Sequence, residues 1–240
     1  MLLEICASNY KSAINAEKSG AHRIELCQEL AIGGITPSYG LLKQVVKELS
    51  IPIFVLIRPR SGNFTYSDEE FEIMKKDIQL CKELGVSGIV SGVLNNDNSI
   101  DEKRTQELVE LSKPLSFTFH RAFDWVPNPT EALEQLITIG TDRILTSGQE
   151  TSAEMGIELL TKLKDQADSK IVILPGGGIN SSNAKKFAEK GFDEIHASAT
   201  KIETSNEAPS ISMNSTKFLD DAIEYYSDKE KIKDILSEVS

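Results

Sequence analysis

The stretch Pro114-Leu115-Ser116-Phe117-Thr118-Phe119-His120-Arg121-Ala122-Phe123-Asp124 lies near the middle of the chain and is the starting point for predicting its fold. Its alternating hydroxyl and aromatic side chains predict a strand, because successive side chains of a strand point to opposite faces. The strand ends in a histidine, an arginine and an aspartate. Parallel α/β proteins collect such acid–base and anion-binding groups at the carboxyl ends of their strands, so the stretch predicts one part of a site.

Strand and helix patterns alternate on both sides of this stretch. Eight strands are predicted, at Leu2–Cys6, Arg23–Cys27, Ile53–Arg58, Gly88–Val93, Leu115–His120, Arg143–Thr146, Lys170–Leu174 and Glu194–Ala197. Helices are predicted between them, at Asn9–Ser19, about 38–49, 67–84, Asp101–Ser112, about Pro129–Ile139, Ser152–Gln166 and about 181–190. The tail predicts an irregular loop at Glu203–Ser215 and two closing helices, Thr216–Tyr226 and Lys229–Val239.

A weak internal repeat supports eight strand–helix units. Before every second strand, a helix-ending glycine is followed four residues later by an isoleucine, at Gly20/Ile24, Gly85/Ile89, Gly140/Ile144 and Gly191/Ile195. Glycine is the expected residue at a helix C-terminus. We therefore predict an α/β fold, a (β/α)8 TIM barrel with an extra C-terminal helix. Residues 1–240 would form a single domain, with the barrel core at about 2–200 and closing helices in 201–240.

Composition narrows the partners and the compartment. The chain has 240 residues and a formal net charge of −11, which argues against nucleic acid or an anionic membrane as a partner. No apolar run approaches the roughly 20 residues of a membrane span. We expect no secretory signal, since the start, residues 1–5, has no basic region and includes a glutamate. With the odd cysteine count (Cys6, Cys27 and Cys81), this predicts a reduced, cytoplasmic protein.

Side-chain alternation divides the predicted strands into an apolar face and a polar face. The apolar face should pack against the helices, and the polar face should point into the barrel. The polar set comprises Glu4, Cys6, Glu25, Cys27, Arg58, Arg60, Ser91, His120, Ser147, Glu194, His196 and Ser198. Barrel interiors are usually filled by branched apolar residues, and buried charge is costly unless it is paired or faces water. So many polar groups on this face therefore indicate a site.

The polar set supplies candidates for two roles. Candidate acid–base groups are Glu4, Glu25, His120 and Asp124. Candidate anion-binding groups are Arg58, Arg60, Arg121, Gly176, Gly177, Gly178 and Ser198, because loops after the seventh and eighth strands of barrels often bind phosphate through backbone N–H groups. The alternatives are structural: the two glutamates could pair with Arg58 and Arg121, His120 could be a hydrogen-bonded core residue, and the glycines could form a plain turn.

Cys6 and Cys27 end neighbouring strands on the same predicted face. Adjacent strands lie about 4.8 Å apart, so their thiols could share one ligand. Two soft thiolates suit Cu(I), which is the candidate cofactor. The alternative is that both are small buried hydrophobic residues.

Several motifs, in order, resemble the CutC family, which is named for copper homeostasis. They are Glu4-Ile5-Cys6, Arg23-Ile24-Glu25-Leu26-Cys27, Gly33-Gly34-Ile35-Thr36-Pro37-Ser38, Ile57-Arg58-Pro59-Arg60, Tyr66-Ser67-Asp68-Glu69-Glu70, Phe119-His120-Arg121-Ala122-Phe123-Asp124, Arg143-Ile144-Leu145-Thr146-Ser147-Gly148 and Pro175-Gly176-Gly177-Gly178-Ile179. The resemblance covers residues 2 to about 200. It implies a (β/α)8 barrel, a cytoplasmic location, a homo-oligomer (dimer or tetramer), and Cu(I) binding through a cysteine pair that falls on Cys6 and Cys27.

The sequence departs from the family pattern at two positions. Asn63 stands where many relatives carry Asp, and Ala197 stands where many carry Gly. Two functions stay open: a copper-homeostasis protein, or a barrel enzyme acting on a small anionic metabolite, for example a phosphorylated one. A third alternative, a barrel that serves only as an interaction scaffold, is disfavoured by the polar interior.

Overall fold

Eight parallel strands form the barrel in a computed structural model that describes residues 1–204, 211–212 and 221–239. They are Leu2–Ala7 (β1), Arg23–Leu26 (β2), Ile53–Leu56 (β3), Gly88–Ser91 (β4), Ser116–Phe119 (β5), Arg143–Thr146 (β6), Val172–Pro175 (β7) and Glu194–Ala197 (β8). Their order around the sheet is β7-β6-β5-β4-β3-β2-β1-β8. A single parallel bridge between Gly176 and His196 joins the two ends of the sheet. The predicted (β/α)8 architecture is confirmed.

Helices connect the strands on the outside of the barrel. They are Tyr10–Lys18 (α1), Tyr39–Glu48 (α2), Asp68–Leu84 (α3), Glu102–Ser112 (α4), Pro129–Ile139 (α5), Ile157–Ala167 (α6) and Ala184–Glu189 (α7). Within the described residues, no helix combines the length and the apolar character that crossing a membrane requires.

The helix ends follow the sequence signals, with one difference. Ser67 and Glu70 form a complete capping box at the start of α3, and Gly85 ends that helix at a φ of +79°, a conformation that glycine adopts without steric cost. The helix predicted from Ser152 begins only at Ile157. The cause is tertiary: the Ala153 amide donates to Gly177 O (2.8 Å), which ties this segment to the loop after β7.

The C-terminal region differs from the prediction. Thr200–Thr204 (β9) and Ile223–Ser227 (β10) pair as an antiparallel hairpin, so the end of the helix predicted at Thr216–Tyr226 is wrong. The start of that predicted helix, residues 216–220, lies outside the described residues. The hairpin is attached to α1, because Asn15 Nδ2 donates to Ser227 O (2.9 Å). The extra C-terminal helix is confirmed at Lys229–Val239 (α8).

The two faces of the barrel strands match the predicted alternation. Leu3, Ile5, Ile24, Leu26, Phe117 and Phe119 belong to the large core between sheet and helices, whereas Cys6, Cys27, Phe54, Leu56 and Val90 form a separate cluster inside the barrel. Ser91 is an exception and a correction. Val90 points inward, so Ser91 points outward, where its hydroxyl donates to Ile57 O (2.9 Å). The short strand Gly88–Ser91 carries no charge that would have identified its inner face.

Candidate functional site

A cavity of about 510 Å³ opens at the carboxyl ends of the strands. This volume is within the range of small-molecule sites, about 300–1,000 Å³. Its walls include Cys6, Glu25, Arg58, His120, Arg121 and His196. We call this cavity the mouth. We call the charged layer below it, formed by Glu4, Arg23, Arg143 and Glu194, the floor.

In the floor, every charged side chain has an oppositely charged partner. Arg23 donates through Nε to Glu4 and through Nη2 to Glu194, and Arg143 Nε lies 3.0 Å from Glu194 Oε2. The Phe54 ring lies against both guanidinium groups, 4.6 Å from Arg23 Cζ and 5.2 Å from Arg143 Cζ. Burial pushes the pKa of Glu4 upward, but Arg23 and His196 outweigh it and lower that pKa to about 2. Glu4 is therefore a fixed anion.

His196 connects the floor to the mouth. Its Nδ1 lies 2.8 Å from Glu4 Oε1 and 4.0 Å from Glu25 Oε2. Burial opposes the charged form, but Cys6, Glu4 and Glu25 together hold the pKa of His196 well above its usual value. The ring is therefore an imidazolium between two carboxyl groups.

Glu25 differs from Glu4 although both are buried. Its Oε2 has no hydrogen-bond partner among the described residues. Burial and the Glu4 charge raise the pKa of Glu25 to about 7, with His196 and Arg23 opposing them. A carboxyl group that is buried, incompletely bonded and on a cavity wall can exchange a proton with a bound ligand.

Cys6 and Cys27 meet behind this wall, with their Sγ atoms 3.7 Å apart. Cys6 reaches the cavity, whereas Cys27 is fully buried. The neighbouring Cys27 thiol, which has the larger effect, and burial together raise the pKa of Cys6 well above its usual value. Ligand atoms of Cys6, Glu25 and His196 lie within 4.8 Å of one another, which makes them the group that could hold a metal ion.

His120, predicted from its strand, lies on the opposite wall. Its Nδ1 accepts a hydrogen bond from the Ala122 amide (3.2 Å), and its buried Nε2 has no partner in the described part of the chain. Burial and the nearby Arg58 charge lower the pKa of His120 to about 3, so the ring is neutral. The ring depends on Gly92, where an added Cβ would lie 2.7 Å from His120 Nδ1.

Asp124 and Arg121 form a bonded pair at the rim. Arg121 Nε donates to Asp124 Oδ2 (2.8 Å), and Arg121 Nη2 donates to Ser147 Oγ (2.8 Å). Asp124 also accepts from Thr146 Oγ1 and from the amides of Ser147 and Gln149. With this many donors, Asp124 is held in place and positions Arg121, whose side chain is 45% exposed.

Of the other two predicted anion-binding arginines, Arg58 and Arg60, one lines the mouth and the other does not. Arg58 lines the mouth, but it donates to Ile32 O (3.0 Å) and to the carbonyl oxygens of Gly34 and Gly62 (2.8 Å each). Arg60 pairs with Glu70 and lies outside the residues that line the mouth.

The predicted glycine loop contributes in part. Gly177 and Gly178 line the mouth, as does Ser198, whereas Gly176 bridges to His196 in the sheet. At Gly177 an added Cβ would meet Arg121 Nη1 at 3.5 Å and Ser147 Cβ at 3.2 Å. Among the described residues, neither the Gly177 amide nor the Gly178 amide donates a hydrogen bond.

Sequence reasoning missed the partners of the predicted site. The structural alternative was that the two glutamates pair with Arg58 and Arg121, whereas Glu4 pairs with Arg23. The signal was present, since Arg23 lies two residues before Glu25 and so shares its face. It also did not assign a role to His196, or to Phe64 and Trp125, which reach the mouth from loops.

Comparison with known proteins adds the family context. The family model described as "CutC family" matches residues 1–201. A copper homeostasis protein cutC homolog of Mus musculus is 50% identical over 199 residues, which are 82% of this chain and 73% of the relative. A family protein CutC of Proteus mirabilis is 44% identical, covering 98% of this chain and 96% of its own. The solved structure of CutC from Streptococcus agalactiae superposes with a TM-score of 0.78 at 35% identity, covering 82% of this chain and 98% of that chain.

Proposed function

The chain belongs to the CutC family, and from that membership we propose that it is a cytoplasmic copper-homeostasis protein that binds Cu(I) through Cys6 and Cys27. The observation that carries this proposal is the 3.7 Å separation of the two Sγ atoms. Two thiolates on one ion, with metal–sulfur bonds of about 2.3 Å at a tetrahedral angle, would lie about 3.8 Å apart. The protein would act as a homo-oligomer, a dimer or tetramer, which sedimentation would test.

The surroundings of the thiols fit a soft monovalent cation. Thiolates suit copper, and the charge of the nearby His196 imidazolium would balance the net charge of −1 that two thiolates and one Cu(I) ion carry. Access would be from the mouth, because Cys6 and not Cys27 lines the cavity.

A competitive Cu(I) titration under reducing conditions tests this proposal. We expect the double variant Cys6→Ser/Cys27→Ser to bind Cu(I) at least about a hundredfold more weakly than the parent, since both soft ligands are lost. Cys81→Ser is the matched control, because Cys81 is equally buried but lies in α3. Equal affinity of the parent and the double variant would remove the proposed site.

A second function, enzymatic action on a small anionic metabolite, is supported by a different observation. Glu25 Oε2 and His120 Nε2 are both buried without a partner in the described residues, and both side chains line the mouth. Buried polar atoms are rarely left unpaired unless a ligand completes them. Glu25 and His120 would exchange protons with the substrate, while Arg121, Gly177, Gly178 and Ser198 would hold its anionic group.

In this second function the remaining predicted residues position others. Glu4 fixes His196, and Asp124 fixes Arg121. A thermal-shift screen of carboxylated and phosphorylated metabolites tests it, with Arg121→Met as the comparison. We expect anionic compounds to raise the Tm of the parent and to lose that effect in the variant. If no anionic compound shifts the parent, the enzymatic function is contradicted, whatever the copper titration gives.

A further inference from the structure

One side of the mouth is aromatic and apolar. The Phe64 ring lies 4.7 Å from the His120 ring and 4.8 Å from the Trp125 ring, measured between centroids. Leu30 and Ile32 continue this wall. Trp125 is 48% exposed although it is part of this aromatic stack. An indole in this position offers an open face on which a flat or branched apolar group of a ligand can pack.

The opposite side offers hydrogen-bond donors. Arg121 is held there by Asp124 and Ser147, and its Nη1 faces the Gly177 backbone. The amides of Gly177 and Gly178, which donate no hydrogen bond among the described residues, lie on the same side. The positive φ of Gly177, +109°, favours glycine there, and an added Cβ would lie only 3.2 Å from Ser147 Cβ. A guanidinium beside free amides is the donor set that an oxyanion needs.

Among the described residues, Arg58 is a cation of the lumen without a carboxylate partner. The cations Arg23, Arg143 and His196 face three carboxyl groups, those of Glu4, Glu194 and Glu25. Arg121 pairs with Asp124. Arg58 donates to backbone carbonyl oxygens and lies over the Phe64 ring (5.0 Å), but no ion pair of the described residues includes it, although the residue is only 5% exposed. A buried charge without a counter-charge is costly, and an anion bound in the mouth would supply one.

We propose that the mouth binds a small organic anion with an attached aromatic or branched apolar group. The anionic group lies between Arg121 and the amides of Gly177 and Gly178, where it also balances the charge of Arg58, and the apolar group packs against Phe64 and Trp125. This rests on the second function above and narrows its substrate class from any anionic metabolite to an amphipathic one. It does not involve the cysteine pair.

Trp125 provides the measurement, because it is the only tryptophan of the sequence. Fluorescence titrations would compare phenylacetate with acetate, phenyl phosphate with methyl phosphate, and both aryl anions with neutral benzyl alcohol. We expect each aryl anion to bind at least about tenfold more tightly than its methyl counterpart, from burial of the ring. The two aryl anions then distinguish a carboxylate from a phosphate as the anionic group.

Two variants separate the two halves of the binding site, with binding measured by calorimetry. Arg121→Met should weaken the binding of both aryl anions about tenfold and leave the binding of benzyl alcohol unchanged, since it removes charge-assisted hydrogen bonds. Trp125→Ala should reduce the preference for aryl over methyl anions. Lys113→Met is the matched control for loss of a cation, because Lys113 pairs with Glu110 on the outer surface.

The possible results discriminate between this inference and the function on which it rests. If methyl and aryl anions bind equally, or if benzyl alcohol binds as well as phenylacetate, the amphipathic substrate class is overturned, while the enzymatic function survives. If no anion binds at all, both are overturned. Aryl preference that depends on both Arg121 and Trp125 supports the proposal.

Discussion

In the floor of the barrel, Arg23 and Arg143 face Glu4 and Glu194, and every charge has its counter-charge. In the mouth, by contrast, several buried side chains have a polar atom with no hydrogen-bond partner among the described residues. These groups are Glu25, Arg58 and His120. The floor residues lie within β1, β2, β6 and β8, whereas the three mouth residues lie in β2 or just after the ends of β3 and β5.

The difference indicates which polar groups serve stability and which serve a ligand. A buried polar atom without a partner costs about 1–3 kcal/mol, so its retention calls for a cause. The floor has no such atoms at its charged ends, and Glu4 is locked as an anion. The mouth has them at three side chains that surround one cavity. The floor is therefore structural, and the mouth is the region adapted to bind.

The largest expected effect on stability comes from removing one partner of the ion pairs in the floor. Arg23→Met leaves Glu4 without its arginine and Glu194 with only Arg143. Removing one partner of a buried ion pair typically costs about 3–5 kcal/mol, because the remaining charge stays buried. We expect this loss in the free energy of unfolding, measured by urea denaturation.

Lys113→Met is the control for this experiment. It removes a pair whose side chains are 59% and 54% exposed, and such pairs contribute about 0–1 kcal/mol. If Arg23→Met cost no more than Lys113→Met, the distinction between floor and surface charges would fail.

The next effect is a pH dependence of stability that comes from His120, a residue of the mouth. The pKa of His120 is about 3 in the folded protein and about 6.5 when unfolded, so the unfolded chain binds the extra proton between these values. The free energy of unfolding therefore has its full value above about pH 6.5 and falls as the pH drops toward 3, because the unfolded chain then takes up a proton that the folded ring does not. Between pH 7 and pH 5 this amounts to about 2 kcal/mol.

His120→Gln isolates this contribution. Glutamine can still accept from the Ala122 amide, but it does not titrate. The free energy of unfolding of the parent, minus that of the variant, should fall by about 2 kcal/mol from pH 7 to pH 5 in urea titrations. A pH-independent difference would mean that the His120 ring is hydrated or paired in the folded protein. That result would contradict the burial of His120 Nε2 without a hydrogen-bond partner among the described residues.

The sequence predicted the layers better than their partners. Alternation along 116–120 put His120 inside the barrel, and the same rule put Glu4, Glu25 and both cysteines there. Alternation identifies a face but not the neighbour across the barrel, because that depends on the stagger between strands. Arg23 was therefore not recognised as the partner of Glu4.

Loops and the tail were less predictable for a physical reason. Phe64 completes the mouth from an irregular loop and Trp125 from the end of a short 3-10 helix, Arg121–Trp125, and neither segment is long enough for a repeating pattern to show which way its side chains point. Ile223-Glu224-Tyr225-Tyr226 forms a strand because it pairs with 201–204 and bonds to α1, and both of these contacts are distant in sequence. By contrast, the capping box at Ser67 is local and was predicted correctly.

The smallest expected effect compares two buried threonines on adjacent strands. Thr118, 1% exposed and on the inner face of β5, has a hydroxyl with no hydrogen-bond partner in the described residues. Thr146, fully buried on β6, donates to Asp124 and accepts from the Gly148 amide (2.9 Å). Valine has nearly the same shape as threonine, so each substitution removes little besides the hydroxyl. Thr118→Val should leave the free energy of unfolding unchanged or raise it by up to about 1 kcal/mol, since no partner is stranded.

Thr146→Val should cost about 1–3 kcal/mol, because it leaves a carboxylate oxygen and an amide short of a bond. Urea denaturation of the two variants side by side measures both. Equal losses would show that the Thr118 hydroxyl has a partner after all, such as an ordered water in the lumen. The apolar layer of Phe54, Leu56 and Val90 between floor and mouth would then be wet, and the two layers could exchange protons through it. A gain at Thr118 with a loss at Thr146 would instead mean that this layer is dry around Thr118, so that His196 is the polar connection between the floor and the mouth.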